Sequence, residues 1–323
     1  MSERSPEISE AAPTTLNHWL GQKRVVEQLK IALAAYWNDR AAGRASAFGS
    51  AVMAGPPGVG KTTLAHLLSF ELATPFKEAL GSSLSAADLN TLLLEATDDS
   101  VVFIDEVHML NEIAQTALFR AVEGRTLFIP RGPGGRYTAI PLARFNLFIG
   151  TTNLEGVLAP LLARMSHVLR MEWYTADELA LISQQRARSL RWEADDEVFP
   201  AIGKRGKGTA RLALHLMSAT YRVSRAEAAD RMTLEHLNRA VNVEGLDELG
   251  LDQHEQALLR TLAEANGRPV RLQMLAARVG QPTRSISEVT ESFLLREGLI
   301  VRSDAGRELT EKGREYVSRN RVV

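Results

Sequence analysis

The segment Gly55-Pro56-Pro57-Gly58-Val59-Gly60-Lys61-Thr62 matches G-x-x-x-x-G-K-[ST] at every specified position. It follows a short apolar run, Ala51–Ala54, and opens a stretch, Lys61–Leu72, with helical patterning. A strand, a glycine loop and a helix in this order build a cradle for an anion. The glycines let backbone N–H groups turn inward, and the helix N-terminus adds partial positive charge. Lys61 is spaced to reach the β- and γ-phosphates of a nucleotide as a point charge, and the Thr62 hydroxyl to ligate Mg²⁺.

Two further segments complete a phosphate chemistry. Val101–Ile104 reads as a buried strand and is followed by Asp105 and Glu106. Asp105 is placed to hold Mg²⁺ and Glu106 to polarise an attacking water. Phe145–Gly150 reads as a third buried strand and leads to Thr151, Thr152 and Asn153. The Asn153 amide either orients the lytic water without adding charge or serves a turn. The expected cofactors are therefore ATP and Mg²⁺, with Gly55, Pro56, Pro57, Gly58, Val59, Gly60, Lys61, Thr62 and Thr63 lining the nucleotide. Arg164 follows the third segment, and Arg211 opens a helix further on. Each is a surface arginine or a group that stabilises charge on the γ-phosphate.

Strands alternating with helices predict an α/β domain with a parallel sheet and helices on both faces. With 323 residues, the chain is long enough for two or three domains. Leu16–Ala42 is expected to be an amphipathic helix, with Val26, Leu29, Leu33 and Trp37 at helical spacing. After about Tyr174 the pattern becomes all-helical, and from about Leu251 it reads as three helices and a hairpin, the winged-helix pattern. The division is a polar, disordered arm at 1–15, an ATPase domain at 16–174, a small helical lid at 175–245 and a winged helix at 250–323.

A net charge of −1 excludes bulk electrostatic attraction to nucleic acid, so any DNA contact is local. The absence of cysteine excludes disulfides, thiolate zinc sites and cysteine nucleophiles. No apolar stretch is long enough to span a membrane, and the polar N-terminus is not a secretory signal, so a cytoplasmic location is expected.

In the order of these parts, the chain resembles the bacterial Holliday-junction branch-migration motors of the RuvB family, within the AAA+ superfamily. The resemblance runs from about Leu16 to about Tyr316. It rests on Trp19-Leu20-Gly21-Gln22, Gly55–Thr62, Phe103–His108 and Ile149–Asn153. Ala159–Arg164, Glu172-Trp173-Tyr174, Gly208–Arg211 and the segment Arg302–Arg307 also carry it. It implies an AAA+ P-loop ATPase with a helical lid and a C-terminal winged helix. Such a protein is a homo-hexameric ring that moves duplex or four-way-junction DNA. Lys61, Thr62, Asp105 and Glu106 become the hydrolysis core, Asn153 the first sensor, Arg164 the arginine finger and Arg211 the second sensor. Leu20, Gly21 and Tyr174 are implied to line the adenine pocket. The hairpin at Arg125–Leu142 is similar to the one that docks a RuvA-like junction-recognition protein.

Some positions depart from the family pattern. Met109 and Asn153 stand where arginine is usual, Leu162-Ala163 replace Arg-Asp, and Ala210 replaces proline. At the wing, Asp304-Ala305 replace Pro-Arg. Arg284, Arg302 and Arg307 are the candidate contacts to DNA phosphates, with protein contact as the other use of such a wing. The overall reading is an ATP-driven branch-migration motor; the alternative is a loader or regulatory ATPase whose nucleotide state switches partner binding.

Overall fold

The computed structural model describes residues 11–44, 47–130 and 137–320. Residues 1–10 of the expected arm and the hairpin tip, 131–136, lie outside the described residues. The single helix expected over Leu16–Ala42 is two pieces, a 3₁₀ turn at Leu16–His18 and helix α1 at Lys23–Ala41. Between them the backbone turns left-handed, with φ of 72° at Gly21 and 50° at Gln22. The buried stripe of α1 is Val25, Leu29, Leu33 and Tyr36, one residue away from the expected positions at both ends. Trp37 is 41% exposed, and its indole N–H donates to the Glu71 carbonyl at 3.2 Å. An indole carries a donor that a dry stripe cannot satisfy.

The next elements are β1 (Ala51–Ala54), α2 (Lys61–Glu71), β2 (Phe76–Leu80), α3 (Ala86–Leu94), β3 (Val101–Asp105) and α4 (Glu112–Gly124). Strands β4 (Thr126–Pro130) and β5 (Tyr137–Pro141) pair antiparallel as the expected hairpin. Then come β6 (Asn146–Thr151), α5 (Ala159–Leu162) and β7 (His167–Arg170). The main sheet has the order β2-β3-β6-β1-β7 and is parallel throughout. Every residue of β1 and β6 is buried, so both sheet faces are covered, as parallel sheets require. Strands β2 and β7, and helix α3, were not legible as apolar patterns. The two strands are the sheet's edges, and their sequences FKEAL and HVLR carry the charges that edge strands use against further pairing.

The remaining helices are α6 (Ala176–Ser189), α7 (Val198–Arg205), α8 (Ala210–Ala226) and α9 (Leu234–Val243). Capping boxes start α6 at Thr175 with Glu178 and α9 at Thr233 with His236. By packing, the chain divides into two units, Met1–Arg191 with Gly208–Leu214, and Trp192–Lys207 with His215–Val323. Helix α6 and the start of α8 belong to the first unit, and α7 and α9 to the second. Among the described residues no helix is long and apolar enough to cross a membrane.

Within the second unit, α10 (Gln253–Glu264), α11 (Leu272–Val279) and α12 (Thr283–Ser285) precede a π turn at Ile286–Thr290 and α13 (Glu291–Arg296). Strands β8 (Ile300–Ser303) and β9 (Gly306–Leu309) form the wing, and α14 (Glu311–Arg319) follows. The core of this winged helix gathers Leu258, Leu262, Leu275, Ile286, Leu294, Leu299 and Ile300.

Arg307 is part of that interior. It is 8% exposed, and its guanidinium donates from Nε and Nη2 to the two carboxylate oxygens of Glu291, each at 2.8 Å. Glu291 is fully buried, so the expected role of Arg307 as a DNA contact is corrected: its charge is committed to a buried partner. The hydrogen bonds to Glu291 also raise the Arg307 pKa, which keeps the pair ionised. Arg307→Ala would strand a buried carboxylate and is expected to cost about 3–5 kcal/mol of unfolding free energy. Arg307→Met combined with Glu291→Leu should regain most of that loss. Urea unfolding of the three proteins measures it; an Arg307→Ala chain as stable as the parent would contradict a structural pair.

Candidate active site

The strand order brings the three candidate segments together. Strand β6 lies between β1 and β3, with Ala54 opposite Thr151 and Ile104 opposite Ile149. The carboxyl ends of three adjacent strands therefore carry Gly55, Asp105 and Thr151, in the crevice where open parallel sheets bind ligands.

After β1 the loop turns through left-handed conformations at Gly58 (φ 77°) and Gly60 (φ 99°), and α2 begins at Lys61. Lys61 is buried, and its ammonium donates to the carbonyls of Gly55 (3.0 Å) and Pro56 (3.1 Å). Burial lowers the Lys61 pKa below its ordinary value. The carboxylates of Glu106 and Asp105 oppose that shift, and the Arg211 guanidinium adds to it. The Thr62 hydroxyl donates to Asp105 Oδ2 at 2.7 Å, joining the first turn of α2 to the end of β3. Asp105 Oδ1 accepts the Glu106 N–H at 2.9 Å, and a Cβ at Gly150 would lie 2.5 Å from that same oxygen. The neighbouring strand thus needs glycine at 150 to leave room for the carboxylate.

Glu106 holds a left-handed backbone, φ 50°, uncommon for a residue with a Cβ and a form of strain that clusters at functional sites. Its Oε2 accepts from the Thr152 hydroxyl at 3.0 Å and stands 3.3 Å from His108 Nδ1. The Thr151 hydroxyl donates to the Asn153 carbonyl at 2.8 Å, and His108 Nδ1 is 3.0 Å from the same Thr151 oxygen. Thr151 has one proton and spends it on Asn153, so His108 Nδ1 carries the hydrogen between them.

Of the two uses open to Asn153, the structure displays the turn. Its Oδ1 accepts the N–H groups of Glu155 (3.0 Å) and Gly156 (3.3 Å). The residue of this segment that touches Glu106 is Thr152, which sequence reasoning passed over, as it did His108. Both threonines stood in the quoted motif; nothing in their spacing says which side chain turns toward the acid.

Arg211 is brought to the loop, its N–H donating to the Gly58 carbonyl at 3.2 Å. Tyr174 is buried, its hydroxyl donates to the Val59 carbonyl at 3.1 Å, and burial pushes its pKa up to about 12. Gly21 packs against the Tyr174 ring, and Gln22 brackets the Glu172 backbone with bonds of 2.7 and 2.9 Å. Leu20 lines a cavity of about 620 Å³, with Ala11, Pro13, His18, Leu181 and Arg188. Arg164 is half-exposed beyond α5, ion-paired with Glu123 of α4, its guanidinium carbon 5.8 Å from the centre of the Phe119 ring. In the second unit, Arg302 and Asp304 are exposed on the wing, and Arg284 lies in α12.

A parallel sheet whose middle strands end in one shared polar cluster, below a glycine loop and a buried lysine, is the framework of an AAA+ P-loop ATPase, and this chain is one. It matches the profile of the Holliday junction DNA helicase RuvB P-loop domain over residues 11–171 and that of the RuvB C-terminal winged helix domain over 248–318. The Holliday junction branch migration complex subunit RuvB of Kosmotoga olearia is 35% identical over 310 residues, covering 94% of this chain and 89% of that one. The corresponding subunit of Thermotoga maritima is 33% identical over 310 residues, covering 94% and 91%. The solved Thermotoga maritima RuvB Holliday junction branch migration motor superimposes with a TM-score of 0.82 at 31% identity, over 95% of this chain and 98% of that one. The chain belongs to the RuvB family, and a nucleotide is its ligand.

Lys61 gives the site a pH signature. Its pKa is depressed without ligand, and phosphate charge raises it toward the ordinary value. Between those two pKa values, nucleotide binding should take up a proton. Calorimetry in buffers of differing ionisation enthalpy should show uptake within that window and none well below it; no uptake at any pH would contradict a buried ammonium meeting phosphate.

Proposed function

We propose that this chain is an ATP-driven motor that migrates Holliday junctions, working as a homo-hexameric ring in the cytoplasm. The observation that carries the proposal is the bonded cluster of Thr62, Asp105, Glu106 and Thr152 beside the buried Lys61, in a chain that also has the winged helix of the RuvB profile. The similarity spans both parts, which favours the motor over a loader ATPase.

In this reading Lys61 leaves the Gly55 and Pro56 carbonyls for the β- and γ-phosphates. The Thr62 hydroxyl and Asp105 carboxylate are hard oxygen donors in contact, a set that suits Mg²⁺, which keeps most of its water. Mg²⁺, when bound, neutralises phosphate charge. Glu106 polarises the attacking water, with Thr152 and His108 fixing its carboxylate. Asn153 shapes the turn that presents Thr152. Arg211 reports the nucleotide from the start of α8. Leu20, Gly21 and Tyr174 border the adenine. Arg164, exposed and away from its own loop's bonded cluster, acts on the ATP of the neighbouring subunit. The 125–142 hairpin docks a RuvA-like protein. Arg302 and Arg284 contact DNA phosphates, and residues 16–174, 175–245 and 250–323 act as ATPase, lid and DNA-binding domains.

ATPase rates with and without a four-way junction, alongside movement of its arms, test the central claim; no stimulation and no arm movement would reject it. Glu106→Gln should retain ATP binding and lose turnover, because an amide polarises water poorly; an unchanged turnover would remove Glu106 from the mechanism. Arg164→Ala should bind ATP and lose about 10³–10⁵ in hydrolysis rate. At the wing, Arg302→Ala should weaken DNA binding for all sequences alike and flatten the log–log salt dependence by about 0.9. Asp304→Arg should tighten it. Salt-titrated anisotropy on a labelled duplex reads both, and two unchanged affinities would turn the wing toward protein.

A further inference from the structure

We infer that Gln115 is a positioning residue for Arg164, holding it in the orientation that the neighbouring subunit's ATP requires. The inference rests on the reading of Arg164 as a finger acting in trans.

Gln115 lies in the first turns of α4, on the face that also buries Ala114, Leu118 and Ala121, and is 2% exposed. An apolar residue would serve packing there. A carboxamide is costly in such a place unless its donors and acceptor find partners, and here all are satisfied by backbone. Its Nε2 donates to the carbonyls of Leu110 (3.0 Å) and Gly156 (3.1 Å). Its Oε1 accepts the Leu158 N–H at 2.8 Å. These partners lie in two stretches: Leu110 in the one after Asp105 and Glu106, and Gly156 and Leu158 in the connection that runs from Thr152 and Asn153 to the start of α5.

The last contact is the decisive one. Leu158 is the N-cap of α5, and no side chain of its own caps that helix. Helix α5 is only four residues long, and Arg164 follows it by two. So short an element cannot set its own direction, and the Gln115 carbonyl supplies a fixed point at its start. The far end of the same mount is also on α4. Phe119 lies under the Arg164 guanidinium, and Glu123 is its ion partner. Positions 115, 119 and 123 fall at i, i+4 and i+8, so one face of one helix holds both ends of the finger segment. The Gly156 contact ties that mount to the turn whose Thr152 touches Glu106, so the subunit's own site and the arm it offers its neighbour share one buried amide.

The test compares Gln115→Leu, which keeps the volume and loses all three bonds, with the parent protein and with Arg164→Ala. Ring assembly, binding of a fluorescent ATP analogue, and kcat and KM for hydrolysis are measured. Gln115→Leu should assemble, bind the analogue as the parent does, keep its KM and lose about 10- to 100-fold in kcat, the scale of a misplacement near 1 Å. Mixed with Lys61→Ala subunits, whose fingers are intact, Gln115→Leu should regain hydrolysis, because its own loop then meets a correctly held Arg164. Arg164→Ala mixed with Lys61→Ala is the reference pair. If that pair revives and the Gln115→Leu mixture stays dead, Gln115 serves its own subunit's site and the inference falls. A parental kcat for Gln115→Leu alone overturns it too. If the reference pair stays dead, the trans reading of Arg164 fails first, and the inference with it. Should Gln115→Leu not assemble, Gln115→Glu carries the same test: it keeps the acceptor for Leu158, loses both donors, and is expected to show a smaller kcat loss with the same revival in the mixture.

Discussion

The hydrogen bond from the Thr62 hydroxyl to Asp105 joins the first turn of α2, the helix that follows β1, to the end of β3, and β1 and β3 are not neighbours in the sheet. It forms because β6 sits between them and all three run the same way, so their carboxyl ends open on one crevice. The rest of the site hangs on that geometry. Lys61 is held out of water against two carbonyls, which are poor partners for an ammonium compared with phosphate oxygens. Asp105 and Glu106 stand near enough to oppose the loss of its proton. The loop and its ammonium thereby present positive charge to the crevice where phosphates would enter.

The polar cluster has a second layer that reaches outward. Thr152 and His108 fix Glu106, Thr151 fixes His108, and Asn153 closes the turn that presents Thr152. The same turn passes its Gly156 carbonyl to Gln115. Such a chain of bonds is rigid only while every member is satisfied, since each buried group left alone carries its full desolvation cost. The Arg307–Glu291 pair plays an equivalent part in the winged helix, where it fastens the wing to α13. Of the arginines expected at the DNA, one therefore belongs to the fold, and the wing's outward charge rests on Arg302 beside Asp304.

How much of this was legible can be judged residue by residue. The central strands β1, β3 and β6 were plain as apolar runs because both their faces are buried. The edge strands β2 and β7 were not, because an exposed edge is built from the charged residues that mark loops elsewhere. The α1 stripe was read one position off at Val26 and Trp37, since apolar spacing fixes a period more firmly than a phase. Arg302 and Arg307 looked alike as two arginines bracketing a turn; they are opposed across the wing on one face, and they separate because Glu291 and the Val270 backbone meet only Arg307.

What the sequence determined by itself was local chemistry. Glycines at 55, 58 and 60 before Lys61 and Thr62, and a carboxylate pair at the end of an apolar strand, specify a nucleotide site because those groups act through backbone conformation and charge within a few residues. The tertiary structure alone decided which side chains meet across segments: Thr152 rather than Asn153 at Glu106, Arg307 inside rather than outside, and Gln115 bonded to the stretch before α4 and the connection to α5 at once. All but the Gln115–Leu110 bond join residues 16 to 46 positions apart. Side-chain direction at such range is set by strand order, helix phase and the need to satisfy every buried polar group, and none of these is written in a motif.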